Sequence, residues 1–404
     1  MSSIGDSILL SQLSIPGTHD SGALYESVSG TAICQDLTIA EQLNAGVRFL
    51  DIRCRHYGDS FVIHHGSVYQ NLNFDDVLDA CSSFLSSNPD ECIIMSVKEE
   101  YDSYNITQTF AETFNDYVAQ DSGLWYFTTT APALGACRGK IVLVRRFSGS
   151  VGINAYSSWS DNTTFTCGIL RVQDCYQVSY WTNDNKIAAI ESLFDEALAG
   201  SSSMFYLNFT SGYRSFLGIP DIPGVADEVN EWLEDYFGDD ICNRYGVVIM
   251  DFANATRCSL IYNSNIIGTK KIVNVSSGRA MDAYGNSNGS NVIIYDYWSN
   301  TNQKWLINYL GSSCFSIRSA QSGNLSADVW NWGTVNGTNI ALYSYWGGNS
   351  QKYLMQSVGD GYYRITPYIA SAQCLDAYGT ANESNVGTWS YWGGTNQQWI
   401  VQNP

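Results

Sequence analysis

The sequence has few charged side chains and very few basic ones. Charged residues make up 15% of the 404 residues, compared with roughly 25% in an average soluble domain. Asp and Glu total 39 and Lys and Arg only 20, so the formal net charge at pH 7 is −19. Because such a chain repels phosphate backbones, this balance excludes nucleic acid as a partner. Apolar residues make up 45% of the chain, so disorder and coiled coil are also poor interpretations.

Long apolar runs and paired cysteine motifs are missing as well. No run of about 18 apolar residues, the length needed to cross a bilayer, occurs in the sequence, so we expect a soluble chain. The 11 cysteines form an odd set without a C-x-x-C pair, which argues against a zinc ribbon or a dense disulfide framework. Only four histidines occur, all in the first sixth of the chain. Any imidazole chemistry is therefore confined to that segment.

Charge and aromatic content divide the chain near residue 265. Residues 266–404 contain seven basic and six acidic residues, which leaves 13 basic and 33 acidic residues in residues 1–265. The net charges of the two parts are therefore +1 and −20, and eight of the 12 tryptophans lie in the second part. Such different compositions predict two domains, residues 1–265 and residues 266–404.

Three related units make up the second part. They span residues 280–307, 324–355 and 374–401, and each has an Asn, an alternating apolar run, an aromatic pair and a closing Q-x-aromatic motif. Short alternating runs between Gly, Asn and Ser turns are typical of strands, and a threefold repeat favours a closed all-β barrel. The pattern resembles the ricin B-type β-trefoil lectin family. In its closing motifs we expect the aromatic residue to pack inward and the Gln to satisfy backbone groups.

The trefoil resemblance also implies carbohydrate-binding positions, at which a carboxylate and an amide bind vicinal hydroxyls beside an aromatic ring. These positions are Asp282, Tyr295 and Asn302 in the first unit and Asp376, Trp389 and Asn396 in the third. The middle unit has Ser326 where the other units have Asp. We therefore expect two competent sugar pockets and one degenerate pocket, with a purely structural trefoil as the alternative.

The first part alternates strand-like and helix-like segments. Helical patterns include residues 74–87 and 186–200. Apolar runs rich in Val, Ile and Phe, several of which end in polar residues, are residues 47–53, 61–65, 91–98, 139–146, 168–174, 202–209 and 245–252. Repeated strand and helix units over about 260 residues predict an α/β parallel barrel with its active site at the carboxyl ends of the strands.

Histidine, carboxylate and arginine side chains occur together at the ends of the early strands. Two histidines with carboxylates and an arginine provide the base, the acid and the cation that in-line phosphoryl transfer requires. The segments are LSIPGTHDSGA, FLDIRCR and VIHHG. No H-x-H or H-x-x-x-H spacing occurs and Arg53 would repel a cation, so we expect no metal. We assign His56 and His64 to surface and packing roles.

Eight segments between residues 10 and 260 carry a specific resemblance. They are SIPGTHDSG, LDIRCR, HHG, IIMSVKEEY, GKIVLVRRFSG, RVQDCYQVSY, YLNFTS and VVIMDF. In this order they resemble the successive motifs of the bacterial-type phosphatidylinositol-specific phospholipase C family. The resemblance implies a distorted TIM barrel that cleaves phosphatidylinositol or a glycosyl-phosphatidylinositol anchor. The implied products are diacylglycerol and inositol 1,2-cyclic phosphate.

The same resemblance implies a role for individual residues. The catalytic positions are His19 as general base with Asp251, His65 as general acid with Asp20, and Arg53 on the phosphate with Asp51 beside it. The inositol-binding positions are Lys98, Arg146, Asp174 and Tyr176. The calcium-dependent branch of the family has a carboxylate ligand where Arg53 stands here, so the resemblance implies an enzyme without a metal or other cofactor.

The sequence therefore predicts a metal-independent phosphodiesterase that acts at a membrane surface and carries a glycan-binding domain. A phosphodiesterase on soluble glycerophosphoinositol-type substrates, and a lectin with an inactive barrel, are the alternatives. We expect a secreted protein, with the cytoplasm as the alternative location. Because the first part is too acidic to be attracted to anionic lipid, a nearly neutral lectin domain would replace the missing basic patch.

Overall fold

Two compact units make up the described chain. A computed structural model describes residues 1, 4, 6, 8–239, 244–265, 268–311, 314–358, 362–402 and 404. The first unit is built from Asp6–Asp235 and Arg244–Tyr262, and the second mainly from Asn263–Pro404. The predicted domain boundary lies between residues 265 and 266, and residue 266 is outside the described ranges. None of the described helices combines the length and the apolar character that a bilayer crossing requires.

The first unit combines strands and helices along the whole of its length. Its strands are β1 (Ile15–Thr18), β2 (Phe49–Tyr57), β3 (Ser60–His65), β4 (Val68–Asn73), β5 (Ile93–Glu99), β6 (Trp125–Tyr126), β7 (Ile141–Arg146), β8 (Ile153–Asn154), β9 (Thr164–Cys167), β10 (Leu170–Gln173), β11 (Phe205–Phe209), β12 (Arg214–Phe216), β13 (Ile219–Asp221) and β14 (Val247–Met250). Its helices are α1 (Ile39–Ala45), α2 (Phe74–Ser87), α3 (Phe110–Gln120), α4 (Leu134–Cys137), α5 (Asp184–Ala199), α6 (Pro223–Asp239) and α7 (Ala255–Asn263). All seven predicted strand runs contain a strand.

Most of these strands form one curled parallel sheet in the order β6, β7, β5, β2, β1, β14, β11 and β10, with antiparallel β9 at the edge. Within the described residues the two edge strands do not pair, so the sheet curls like a TIM barrel but stays open. Strands β3 and β4 extend β2 as antiparallel hairpins. The interpretation of residues 61–65 as a parallel barrel strand is therefore wrong, because a short turn after β2 reverses the chain.

Burial explains why these strands are mostly apolar. Every residue of β7, β11 and β14 is buried, as is typical of parallel strands that are covered on both faces. Close packing of β1 against β2 requires Gly17, since a Cβ at this position would lie 2.9 Å from the Cβ of Phe49. The polar residues that follow the strands are thereby held at one edge of the sheet.

The second unit is all-β, as predicted. Its strands are β15 (Gly268–Asn274), β16 (Ala280–Tyr284), β17 (Asn291–Tyr295), β18 (Trp305–Gly311), β19 (Cys314–Ser319), β20 (Leu325–Val329), β21 (Ile340–Ser344), β22 (Tyr353–Ser357), β23 (Tyr363–Pro367), β24 (Gln373–Ala377), β25 (Ser384–Ser390) and β26 (Trp399–Gln402). Among the described residues these strands pair antiparallel, from β15 with β16 to β24 with β25. The three closing aromatic residues Trp305, Tyr353 and Trp399 are fully buried.

The closing glutamines hold the turn before each buried aromatic residue. Gln303 donates from Nε2 to the carbonyl of Asp296 (2.8 Å) and accepts from the backbone N–H of Trp298 (2.7 Å). Gln351 and Gln397 make the same pair of bonds in their own units. This confirms the predicted structural role of the Q-x-aromatic motif.

Three asparagines, one from each unit, close a ring of hydrogen bonds. The amide of Asn339 donates to Asn291 (2.8 Å), that of Asn291 to Asn385 (2.6 Å) and that of Asn385 to Asn339 (2.9 Å). Because each asparagine both donates and accepts, the ring defines which residues of the three units are equivalent. It therefore provides an internal reference for comparing the pockets of the trefoil.

Candidate active site

A cavity of about 520 Å³ opens at the carboxyl ends of the parallel strands. Eight of the ten predicted catalytic and inositol-binding residues line it, namely His19, Arg53, His65, Lys98, Arg146, Asp174, Tyr176 and Asp251. The other two, Asp20 and Asp51, are fully buried beside these residues. The structure thus brings together side chains that are more than 200 positions apart in the sequence.

His19 and Asp251 form the first histidine–carboxylate pair. Parallel pairing aligns Thr18 of β1 with Met250 of β14, so the next residue of each strand lies at the same edge. Nδ1 of His19 lies 2.8 Å from Oδ1 of Asp251, and Nε2 lies 2.8 Å from Nη2 of Arg53. A guanidinium can only donate, so Nε2 must accept and Nδ1 carries the proton. The basic nitrogen of His19 therefore faces Arg53.

His65 and Asp20 form the second pair. Nδ1 of His65, at the end of β3, lies 2.8 Å from Oδ2 of the fully buried Asp20. Burial alone would lower the pKa of His65, but the Asp20 carboxylate raises this pKa above its usual value. The raised pKa keeps His65 protonated to higher pH than a free histidine. Its environment thus favours a proton donor, in contrast to that of His19.

Asp51 aligns the guanidinium groups of the site. Its buried carboxylate accepts from Nε of Arg53 (3.1 Å), Oγ of Ser96 (3.1 Å) and Nη1 of Arg146 (3.3 Å). Burial would raise the pKa of Asp51, but Arg53 and Arg146 hold it well below its usual range. Asp51 therefore stays ionised and fixes the direction of Arg53, whose outer nitrogen contacts His19.

The four predicted inositol-binding side chains all line the cavity. Lys98 and Arg146 extend from paired positions of β5 and β7, and desolvation by burial lowers the pKa of each. Tyr176 donates a hydrogen bond to Asp161 (2.7 Å), which raises the pKa of Tyr176 to about 12. The cavity thus offers cationic and anionic groups together, which suits a polyhydroxylated ring.

Sequence reasoning missed several side chains of the site. Trp159 donates to Oδ2 of Asp174 (3.1 Å), and its ring centroid lies 3.6 Å from Cζ of Arg146. Its polar, loop-like sequence surroundings gave no signal for this role. Glu100 accepts from Lys98 (2.5 Å) and from the backbone N–H of Gly66 (3.3 Å). Glu100 lies within the segment IIMSVKEEY, so its position beside Lys98 could have identified it.

Glu100 also remains charged in its partly buried position. Burial would raise its pKa, but the neighbouring Arg53 and Lys98 lower this pKa to about 2. The carboxylate therefore stays ionised and links the strand that carries Lys98 to the turn that follows His65.

The other two histidines do not line the cavity, and neither lies on the surface. His56 is fully buried and its Nε2 bonds to Oγ1 of Thr113 (2.8 Å), while Nδ1 of the buried His64 contacts the carbonyl of Gly66 (3.3 Å). The surface part of their predicted assignment is wrong, and the packing part is confirmed. Both lie at antiparallel pairings, His56 between β2 and β3 and His64 between β3 and β4, and strand alternation turns neighbouring side chains to opposite faces.

The trefoil places its predicted carboxylates and amides in contact. Nδ2 of Asn302 donates to Oδ1 of Asp282, and Nδ2 of Asn396 donates to Oδ1 of Asp376, each over 2.8 Å. Tyr295 pairs across the sheet with Ala280, two positions before Asp282. Trp389 likewise pairs with Cys374, two positions before Asp376. The structure therefore gives the two outer units matching pockets.

The middle unit also has a carboxylate at the pocket position, which corrects the expectation based on Ser326. There the aromatic Tyr343 pairs with Ser326, so the equivalent of the other two carboxylates is Asp328. Oγ of Ser350 donates to Asp328 (3.2 Å), and Ser326 bonds to backbone carbonyls instead. The letters L-S-A of the middle unit match L-D-A of the third, but strand pairing shifts the equivalence by two residues.

Comparisons with known proteins agree with this arrangement. Residues 7–147 match the family "Phosphatidylinositol-specific phospholipase C, X domain", and residues 261–343 match "Ricin-type beta-trefoil lectin domain-like". The 1-phosphatidylinositol phosphodiesterase of Staphylococcus aureus (strain Newman) is 34% identical over 278 residues, which cover 63% of this chain and 88% of that protein. The Listeria monocytogenes protein of the same name is 31% identical over 263 residues, with coverage of 54% and 78%.

Solved structures show the same likeness. A crystal structure of phosphatidylinositol-specific phospholipase C from Staphylococcus aureus is 31% identical, with a TM-score of 0.59, and covers 65% of this chain and 96% of that one. The fold and the site thus define an α/β-barrel enzyme that carries a ricin B-type lectin-like domain. The chain belongs to the bacterial phosphatidylinositol-specific phospholipase C family.

Proposed function

We propose that this chain cleaves the phosphodiester of phosphatidylinositol, or of a glycosyl-phosphatidylinositol anchor, by general base and general acid catalysis. The observation that carries the proposal is the pair of histidines near Arg53, one in direct contact with it and the other linked to it through Asp20, each with its own buried carboxylate. Their environments differ, since one histidine presents a basic nitrogen and the other has a raised pKa. Such a difference assigns opposite proton-transfer tasks to the two side chains.

In the proposed reaction, Nε2 of His19 takes the proton of the inositol 2-hydroxyl. The freed oxygen forms a bond to phosphorus while the bond from phosphorus to the glycerol oxygen breaks. His65 gives its proton to that leaving oxygen, and the products are diacylglycerol and inositol 1,2-cyclic phosphate. Arg53 neutralises the charge on the equatorial phosphate oxygens, the task that calcium has in the metal-dependent branch. Lys98, Arg146, Asp174 and Tyr176 would hold the inositol ring.

Product analysis by phosphorus NMR tests this function. The wild-type chain is incubated with phosphatidylinositol, and we expect a cyclic phosphate signal to appear while the diester signal decays. The His19→Ala variant, folded as judged by circular dichroism, should form this product at least about 100-fold more slowly. Direct release of a non-cyclic phosphate would contradict the proposed attack by the 2-hydroxyl.

A bilayer substrate is favoured over a soluble glycerophosphoinositol by exposed apolar side chains near the cavity. Trp181 and Leu217 are each 87% exposed. They lie within a few residues of Tyr176 and Tyr213, which line the cavity. Exposed apolar residues around a lipid-binding cavity can enter the headgroup region of a membrane. Action outside the cell, with the cytoplasm as the alternative, stays part of this proposal.

We predict that Trp181→Ser combined with Leu217→Ser weakens the activity on vesicles at least about tenfold, because exposed apolar area stabilises membrane binding. Turnover of a short-chain, monomeric substrate should change less than about twofold. Sedimentation with phosphatidylinositol-containing vesicles measures the binding directly. The variant Tyr104→Ser, which removes an exposed aromatic residue away from the lining, is the control. Equal loss on both substrates would place these side chains in catalysis instead.

We further propose that the trefoil binds glycans through three pockets that tether the enzyme near glycosylated surfaces, where substrate concentration is higher. The support is the buried carboxylate present in every unit, Asp282, Asp328 and Asp376. We predict that the Asp282→Ala and Asp376→Ala double variant loses most of its avidity on a glycan array, and that Asp328→Ala in addition abolishes binding. Unchanged binding by the triple variant would favour a purely structural trefoil.

A further inference from the structure

The middle unit of the trefoil is longer than its two neighbours beside the sugar pocket. In the middle unit the pocket carboxylate Asp328 lies 11 positions before Asn339, a member of the asparagine hydrogen-bond ring. The equivalent separations in the outer units, from residue 282 to 291 and from 376 to 385, are 9 positions. The two extra residues lie in the segment Trp330–Trp332. The threefold symmetry thus provides two copies of the same loop without this extension.

The extension has an unfavourable backbone conformation. Asn331 and Trp332 have φ values of 53° and 56°, in the left-handed region that a bulky residue such as tryptophan rarely adopts. Strain of this kind is unfavourable and is concentrated at functional sites. Trp332 is nevertheless 64% exposed, so burial of its ring in the core does not offset the cost.

Contacts connect the exposed Trp332 ring to the pocket carboxylate. Its centroid lies 6.5 Å from that of Trp346, with 62° between the ring planes. The Trp346 side chain in turn acts on Asp328, where it opposes the rise in pKa that burial causes. The outer carboxylates are bonded by Asn302 and Asn396 instead. The middle pocket therefore has Ser350 in place of the amide, and it also has an inclined pair of indoles, Trp332 and Trp346.

Two inclined aromatic faces that stay open to solvent are suited to contact a flat, C–H-rich surface. Pyranose rings present such a surface and stack on aromatic side chains, while their hydroxyls bind carboxylates. Asp328, Ser350 and Tyr343 provide the elements for one sugar ring. We propose that Trp332 and Trp346 form a subsite for a second ring, so that the middle pocket selects disaccharides or longer glycans. This inference rests on the proposed glycan binding.

The test uses the full chain with Asp282→Ala and Asp376→Ala, in which the middle pocket is the remaining predicted site. Titration calorimetry compares glucose with cellobiose, galactose with lactose, and N-acetylglucosamine with its β-1,4 dimer. We expect one disaccharide to bind about tenfold more tightly than its monosaccharide. Adding Trp332→Ala should remove this advantage, about tenfold in Kd or 1.4 kcal/mol, and leave the monosaccharide within twofold. Trp332→Phe, which keeps an aromatic face, should retain most of it.

Trp392→Ala in the same background is the matched control, since Trp392 is an exposed tryptophan of the third unit, and it should leave both affinities unchanged. An equal loss for monosaccharide and disaccharide on Trp332→Ala would overturn the second-ring subsite while the proposed glycan binding stands. Absence of saccharide binding by the unmodified chain would overturn both proposals. Loss of vesicle binding with unchanged sugar affinity would assign the tryptophans to a lipid surface and overturn the subsite.

Discussion

Replacing either His19 or His65 with Ala is expected to lower kcat on phosphatidylinositol by about 10²- to 10⁴-fold, the usual contribution of a general acid or base. The two variants should differ when the leaving group changes. A p-nitrophenyl inositol phosphate has a leaving oxygen that needs no proton, so it should restore much of the activity of His65→Ala. It should leave His19→Ala inactive, because the 2-hydroxyl proton must still be removed.

The pH profile provides a second measurement on the same pair. Catalysis by His65 requires the protonated ring, and the Asp20 carboxylate raises the pKa of this ring. The alkaline limb of the kcat profile should therefore lie above the usual histidine pKa, and Asp20→Asn should move it to lower pH. His64→Gln, at the neighbouring histidine outside the cavity, is the control and should retain the wild-type limb. A wild-type profile in Asp20→Asn would contradict the assignment of His65 as the acid.

Replacing Arg53 is expected to have an effect of similar or larger size. Arg53 donates through Nε to Asp51 and contacts His19 through Nη2, so one guanidinium lies between the base and the buried carboxylates. Removing a cation that stabilises a phosphoryl transition state costs about 10³- to 10⁵-fold in kcat. We expect this loss for Arg53→Ala. The loss for Arg53→Lys should be smaller, because the positive charge is kept, but some loss should remain, because a lysine ammonium cannot donate in two fixed directions.

The Arg53 series also tests the metal-free reaction. If the guanidinium provides the positive charge at the phosphate, excess EDTA should leave wild-type activity unchanged, and added calcium should not restore Arg53→Ala. The matched control is Arg55→Ala, two residues further along β2, where the side chain contacts Tyr57 and Tyr101. Activity lost in EDTA and restored by calcium would refute the proposal.

Local patterns in the sequence determined the secondary structure and the composition of the site. Helix α2 has the predicted bounds, residues 74–87, because its apolar spacing and its acidic first turn are local properties. The Q-x-aromatic units likewise specify turns and buried rings within a few residues. Eight ordered motifs were sufficient to relate the chain to its family and to name the side chains that the cavity brings together.

Strand pairing decided what the local patterns left open. His19 contacts Asp251 only because β1 pairs with β14, over a separation of 232 residues. Trp159 enters the site from a loop with no recognisable pattern, and Asp328 rather than Ser326 is the pocket carboxylate because of its register with Tyr343. Residue types report which chemistry is available. Distances between them depend on hydrogen bonds and burial between distant segments, which only the tertiary structure contains.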